Sequence, residues 1–266
     1  MLIEKIREKT KQIIEKEEVY IKGIWSVDCL FNPNNNERVF DFKFLVVKSL
    51  GQGSAYSSIK TYDTSYLKTF MGRRINEIEF DDLAFEIAVH DSIFGKYQRN
   101  DFYAEYKLEG SSTKKAFERA EIVFEECRNL LVDTKKPKVV NVGVVTNVAA
   151  ALRDHGYEVM GTDFDDDIIN RYVYKDVYVY PGEMTNELVK EADLAVITGM
   201  TLATDSAQEI LDIAKQNNTR VVVFAETASN LGDFFIDAGA DSFISEPFPF
   251  YIFDGTTNIR IKRKKN

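Results

Sequence analysis

The sequence predicts an α/β protein: a small N-terminal α+β domain followed by a Rossmann-like parallel-sheet domain. Three observations predict it. Apolar runs of strand length recur after residue 137, at 138–145, 157–163, 194–198, 220–225 and 242–244, each separated from the next by a helical pattern or a turn. Runs such as Leu194-Ala-Val-Ile and Val221-Val-Val-Phe are apolar at consecutive positions, as in strands covered on both faces of a parallel sheet. The first half reads differently, as a helix, two strand-like runs and then further helices. The 266 residues are enough for one large domain or two small ones.

Taken in order, Ile3, Ile6, Ile13 and Ile14 among Glu and Lys predict an opening amphipathic helix. Strands follow at 19–31 and 39–50, with Asn32-Pro33-Asn34-Asn35-Asn36 as the hairpin connection. Gly51-Gln52-Gly53-Ser54 reads as a flexible end to the second strand. Leu83, Ile87 and Phe94 predict a helix at 81–94, and another spans 113–131 with Ser112 or Thr113 as N-cap. The polar stretch Thr134-Lys135-Lys136-Pro137 divides the chain into 1–136, on the substrate and dimer side, and 137–266, which binds the ligand. Beyond it, a helix at 148–155 is closed by Gly156, and others fit 206–216 and 231–237. Tyr172, Tyr174, Tyr178 and Tyr180 alternate like a strand face and read as core or dimer packing. The basic end Lys262-Arg263-Lys264-Lys265 reads as solvated.

Composition narrows the function. Lys plus Arg number 34 against 43 Asp plus Glu, a net charge of −9 that falls almost wholly in the second half and opposes nucleic-acid coating. Cys29 and Cys127 imply no disulfide framework and fit a reducing compartment. With His90 and His155 as the remaining soft ligands, no thiolate or imidazole metal cage is expected. His90 on a helix and His155 at a helix end read as packing or capping residues. No apolar run approaches a membrane span and the start lacks a signal-peptide core, so a cytoplasmic protein is expected.

Ligands of open α/β sheets lie beyond the carboxyl ends of the strands. That rule selects Thr146 and Asn147, Asp163, Thr198-Gly199-Met200-Thr201, Glu226 and Glu246-Pro247. Asp163 lies about 20 residues beyond Gly143, where a Rossmann unit places the carboxylate that takes ribose hydroxyls; it also opens the acidic run Asp165-Asp166-Asp167, a solvated surface or a minor hard-cation candidate. The loop Val142-Gly143-Val144-Val145-Thr146-Asn147-Val148 has one glycine where the G-x-G-x-x-G fingerprint has three, which argues against a pyrophosphate and a nicotinamide cofactor. A ligand with a ribose but no pyrophosphate, S-adenosylmethionine or a free nucleoside, suits it better. Gly199 admits backbone close to a ligand, with Thr198 and Thr201 as hydroxyl donors and Met200 as packing or a cofactor contact.

The segment Gly72 to Gly95, with Phe80-Asp-Asp-Leu-Ala-Phe-Glu-Ile-Ala88, resembles the prokaryotic family described as "putative heavy-metal chelation". So do Ala192-Asp-Leu-Ala-Val-Ile-Thr-Gly-Met-Thr-Leu202, Phe224-Ala-Glu-Thr-Ala-Ser229 and Gly239-Ala-Asp241. The resemblance implies an enolase-N-terminal-like domain, a Rossmann-like domain and a ligand between them. Glu226 stands where that family commonly has the glycine of a Gly-Pro-Ser/Thr turn. In length, two-part layout and lack of a glycine-rich loop, the chain is also similar to the methanogen pyridinol methyltransferases of Fe-hydrogenase cofactor biosynthesis. That similarity implies a homodimer using S-adenosylmethionine to methylate a ring carbon of a hydroxypyridine. Asp163 would then take the ribose, and Thr146, Asn147, Thr198, Gly199 and Thr201 the methionine part or adenine. Glu226 would lie near donor or acceptor, and Ser54, Tyr56 and Tyr62 would touch the acceptor. The alternative is a non-enzymatic binder of a metal chelate or small anion.

Overall fold

A computed structural model of the protein describes residues 1–31, 40–57, 62–132 and 134–265. The expected hairpin connection at 32–36 lies outside them. In the first part, α1 (Leu2–Ile14), β1 (Gly23–Phe31), β2 (Phe40–Lys48), β3 (Gln52–Tyr56), α2 (Thr64–Lys68) and α3 (Leu83–Tyr97) follow one another. β1, β2 and β3 form an antiparallel three-stranded sheet. The run at 51–54, expected as a loose strand end, is instead the start of β3. Its glycines serve closeness rather than mobility, because a Cβ on Gly53 would collide with the α3 backbone at Ala88, Asp91 and Ser92.

α3 is the hub of this part. Residues 84–94 are all buried, so its apolar surface runs around the helix rather than along one stripe. Asp82 caps it, accepting from Ala84 N at 3.0 Å. Its polar residues are satisfied inside the fold. His90 Nδ1 pairs with Thr10 Oγ1 at 2.9 Å and Nε2 with Glu86 at 3.2 Å. Arg7 grips Glu86 with two bonds of 2.6 and 2.7 Å. His90 is therefore a buried packing residue. His155, which follows the helix at Thr146–Asp154, stacks on Phe124 at 3.7 Å.

The rest builds a nine-stranded sheet. Its elements are β4 (Ala104–Leu108), α4 (Ser112–Leu130), β5 (Lys138–Val142), α5 (Thr146–Asp154), β6 (Glu158–Asp163), β7 (Arg171–Tyr174), β8 (Val177–Pro181), α6 (Thr185–Glu191), β9 (Leu194–Thr198), α7 (Met200–Ala203), α8 (Ala207–Asn217), β10 (Arg220–Ala225), α9 (Gly232–Ala238), β11 (Ser242–Ser245) and β12 (Thr257–Arg263). Strand order is β4-β12-β11-β10-β9-β5-β6-β8-β7, parallel from β11 through β8 and antiparallel at both ends. The expected α/β architecture is thus what the chain adopts. β4 and α4, from before the Thr134–Pro137 stretch, belong to this sheet and its covering layer.

Both faces are dry. Leu194 and Val196 of β9 face α4 and α5, whereas Ala195 and Ile197 face the core shared with α3, α8 and α9. Lys262 and Arg263 are not a solvated tail but part of β12. Lys262 is buried, with Nζ 2.7 Å from Asp233 Oδ1, and Arg263 is held by Glu126 at 2.6 and 2.7 Å. Thr257, Ile259 and Ile261 alternate with polar residues, a strand period that the terminal charges obscure. The tyrosines at 172–180 form the β7–β8 edge hairpin, where Tyr172 is exposed and packs edge-on against Tyr178.

Candidate functional site

From β5 the chain proceeds one way through β6 and the other way through β9, β10 and β11, so the order reverses between β5 and β9. The carboxyl ends of those two strands are the switch point of the sheet. β5 leaves through Gly143 at φ +68°, and β9 ends at Thr198. Thr198 is buried, and its Oγ1 has no hydrogen-bond partner among the described residues. A Cβ at position 143 would stand 2.5 Å from that hydroxyl. Glycine is required there both for the backbone twist and for the space.

Around this point the sequence-selected residues converge. Asp163 ends β6 and braces the loop after β5: Oδ2 accepts from Val144 N at 2.8 Å, and Oδ1 from Phe164 N at 2.8 Å and Asp165 N at 3.1 Å. Burial raises its carboxyl, against the pull of these three N–H groups. Three bonds leave a carboxylate roughly one lone pair, one bond rather than the two a ribose diol would use. Thr146 and Asn147 open α5, half-buried. Thr201 Oγ1 donates to Thr198 O at 2.7 Å, and Met200 is half-buried beside it. Gly199 lies against the Thr227 carbonyl so closely that a Cβ would collide with it. In the exposed run 165–167, Asp165 accepts from Asp167 N at 2.9 Å and shapes its own turn.

β3 reaches this edge from the small sheet. Ser54 Oγ donates to Glu226 O at 2.9 Å, Tyr56 N donates to Thr227 Oγ1 at 2.9 Å, and Ala228 N donates to Ser54 O at 3.0 Å. Ser54 therefore meets the Glu226 backbone, and Tyr56 meets the next residue, Thr227. Tyr62 does not share these bonds; its hydroxyl bonds to Asp82 and to Ser57. Beneath β3, fully buried Asp91 accepts from Ser54 N at 2.9 Å and Asn230 N at 2.7 Å. Burial pushes its carboxyl up to about 7 from an ordinary 3.8. The native state then holds a proton that the unfolded chain has lost, so stability is greatest below the ordinary value and falls as pH rises to about 7. Urea denaturation between these limits should show a loss on the order of 1 kcal/mol per pH unit, and Asp91→Asn should flatten it.

Glu226 carries the charge of the site. Its carboxylate is ion-paired to Arg119 of α4, which is 3% exposed and also reaches Glu246 at 3.2 Å. Glu246 is fully buried and accepts from Thr257 Oγ1 at 3.1 Å, and the Arg119 guanidinium lies 3.6 Å from the Tyr251 ring centre. Burial pushes the Glu226 carboxyl above the usual carboxylate range; Arg119 opposes this and Glu246 adds to it. Burial likewise raises both cysteine thiols, which disfavours a thiolate nucleophile. Arg119 is absent from the residues selected by sequence. Its signal was its place on the apolar face of α4, with Ala116, Ala120 and Val123. A charge there needs a buried partner.

Among the described residues no group of three or more His, Cys, Asp or Glu side chains could hold a metal ion, and no helix is long and apolar enough to cross a membrane. No curated protein matches the chain. Residues 128–243, from the end of α4 to β11, match the DUF364 family model, described as "putative heavy-metal chelation"; the segment Gly72–Gly95 lies outside that match. A DUF364 protein of unknown function from Desulfitobacterium hafniense DCB-2 is 12% identical at a TM-score of 0.60, over 97% of this chain and 99% of that one. Another, from Pyrococcus horikoshii, is 13% identical at 0.58, with the same coverage. Over 97% of its length, then, the chain has the fold of these DUF364 proteins, and its residues 128–243 carry the match to that family.

Proposed function

We propose that the chain binds a small organic ligand across the carboxyl ends of β5, β9 and β10, and that the reaction there is methyl transfer from S-adenosylmethionine to a ring carbon of a hydroxypyridine. The observation that carries the reading is the buried, unpartnered Thr198 hydroxyl beside Gly143 at the switch point. A buried polar atom left without a bond costs about 1–3 kcal/mol, a cost that a ligand atom would remove. S-adenosylmethionine supplies the methyl on a sulfonium, so the protein's work is alignment and needs no nucleophilic side chain. Asp163 offers one further bond to a ribose hydroxyl. Glu226, partly exposed and raised by burial, is suited to take the ring hydroxyl proton near neutral pH. A homodimer and a small aromatic acceptor belong to the same reading. The family description favours a second one, capture of a metal already held in an organic chelate, since the described side chains offer no cage of their own.

Thr198→Val tests the first reading cleanly. It removes the orphaned hydroxyl at nearly constant shape, so the free protein should be as stable as the parent or slightly more so. Calorimetric titration with S-adenosylmethionine, S-adenosylhomocysteine and NAD should give micromolar binding of the first two alone, weakened about tenfold in Thr198→Val. Silence from all three would sink the methyl-transfer reading in favour of the chelate.

A further inference from the structure

A cleft of about 270 Å3, open to solvent on one side and not lined by Thr198, lies between the start of β3, the end of α3 and the segment from Pro247 to β12. Its wall is built rather than incidental. Gln98 Nε2 donates to Asn230 Oδ1 at 2.9 Å, Asn230 Nδ2 to Gln52 O at 2.9 Å, and Gln52 Nε2 to Phe248 O at 3.2 Å. These amides hold one another in place. Arg260 of β12 is the sole charged residue of the lining. Its side chain is 35% exposed, but Nε is buried with no hydrogen-bond partner among the described residues; its cross-strand neighbour Glu105, 60% exposed, pairs with it only loosely at 3.7 Å. The guanidinium is otherwise placed over Phe102, 5.1 Å from the ring centre.

The geometry points to a binding site for a small carboxylic acid, with Arg260 as its anchor. Nε and its neighbouring Nη form one straight edge of the guanidinium, which matches the two oxygens of a planar carboxylate. A phosphate, tetrahedral and near neutral pH carrying up to two charges, would call for more than the single planar cation present. At about 30 Å3 for a water-sized group, the cavity takes a molecule of roughly nine such groups, the size of a four- or five-carbon acid. Phe248 supplies an apolar wall for its carbon chain, and the amides of Gln52, Gln98 and Asn258 supply polar contacts for a second substituent.

The test is calorimetric titration of the full chain with succinate, L-glutamate and inorganic phosphate. Saturable binding of at least one of the acids, one per chain, is expected, with phosphate at least tenfold weaker. Arg260→Gln should weaken the acid tenfold or more. Exposed Asn258→Asp, which puts a negative charge in the wall without touching the core, should do the same. Glu105→Gln, which removes the competing carboxylate, should leave binding equal or tighter, and Thr198→Val should leave it unchanged. Absence of saturable binding by either acid, phosphate binding as tightly, or indifference to Asn258→Asp in a folded variant would each overturn the assignment.

Discussion

Gly53→Ala should destabilise the protein by about 3 kcal/mol, near the upper end of what an added methyl costs in a packed interior. The three atoms a Cβ would meet are all backbone atoms of α3, at Ala88, Asp91 and Ser92, so no side chain can turn aside to admit it. Relief would require β3 and α3 to separate. That would stretch the bond from Ser54 N to Asp91 and the one from Ser54 Oγ to Glu226 O. A domain of this kind is stable by only some 5–15 kcal/mol, so the loss would be plain in urea unfolding. Gly156→Ala is the reference: its φ is +90°, but nothing lies within 4 Å of the added Cβ, so only the twist of the backbone opposes it, at about 1–2 kcal/mol. Equal losses at the two positions would mean that α3 slides away at little cost.

Arg119→Met should cost about 3–5 kcal/mol, since it strands Glu246 in the core and leaves Glu226 without its counter-charge. The loss should depend on pH in a definite direction. Without Arg119 the buried Glu226 carboxyl is raised further, so the variant binds protons on folding and its stability falls as pH rises from 5 to 8. The parent should show a gentler slope of the same sign, because burial already raises Glu226. Adding Glu246→Gln to Arg119→Met should recover a good part of the stability, measured at pH 8 by chemical denaturation. No recovery would show that packing of the Arg119 stem, rather than its charge, matters there.

The parallel strands were legible because burial on both faces writes itself into consecutive apolar residues; β9 and β10 fall on the residues expected, 194–198 and 220–225. The switch-point rule likewise placed Thr198, Asp163 and Glu226 along one edge with no motif to guide it. What stayed hidden is long-range. That Asp163 spends its oxygens on Val144, Phe164 and Asp165 depends on loop geometry, not on residue type. Gly53 could be read as flexible or as close-packed, and only the presence of α3 decides. β4 is short and mostly exposed, and in β12 charged residues alternate with the buried ones, so the charged residues of both looked like surface. Arg119 is the instructive miss, since its place on an apolar helix face was visible while its two partners lay more than a hundred residues away.

The final strand has a bearing on how the chain is made. β12 is inserted between β11 and β4, and among the described residues β4 has no other strand to pair with. During synthesis from the N-terminus, β4 must therefore wait until Thr257–Arg263 has emerged, while the parallel strands can assemble as they appear. Through that interval β11 presents an open strand edge, the kind that pairs with other nascent chains. Lys262 and Arg263 arrive with the strand that covers this edge, to meet Asp233 and Glu126 in chain already made.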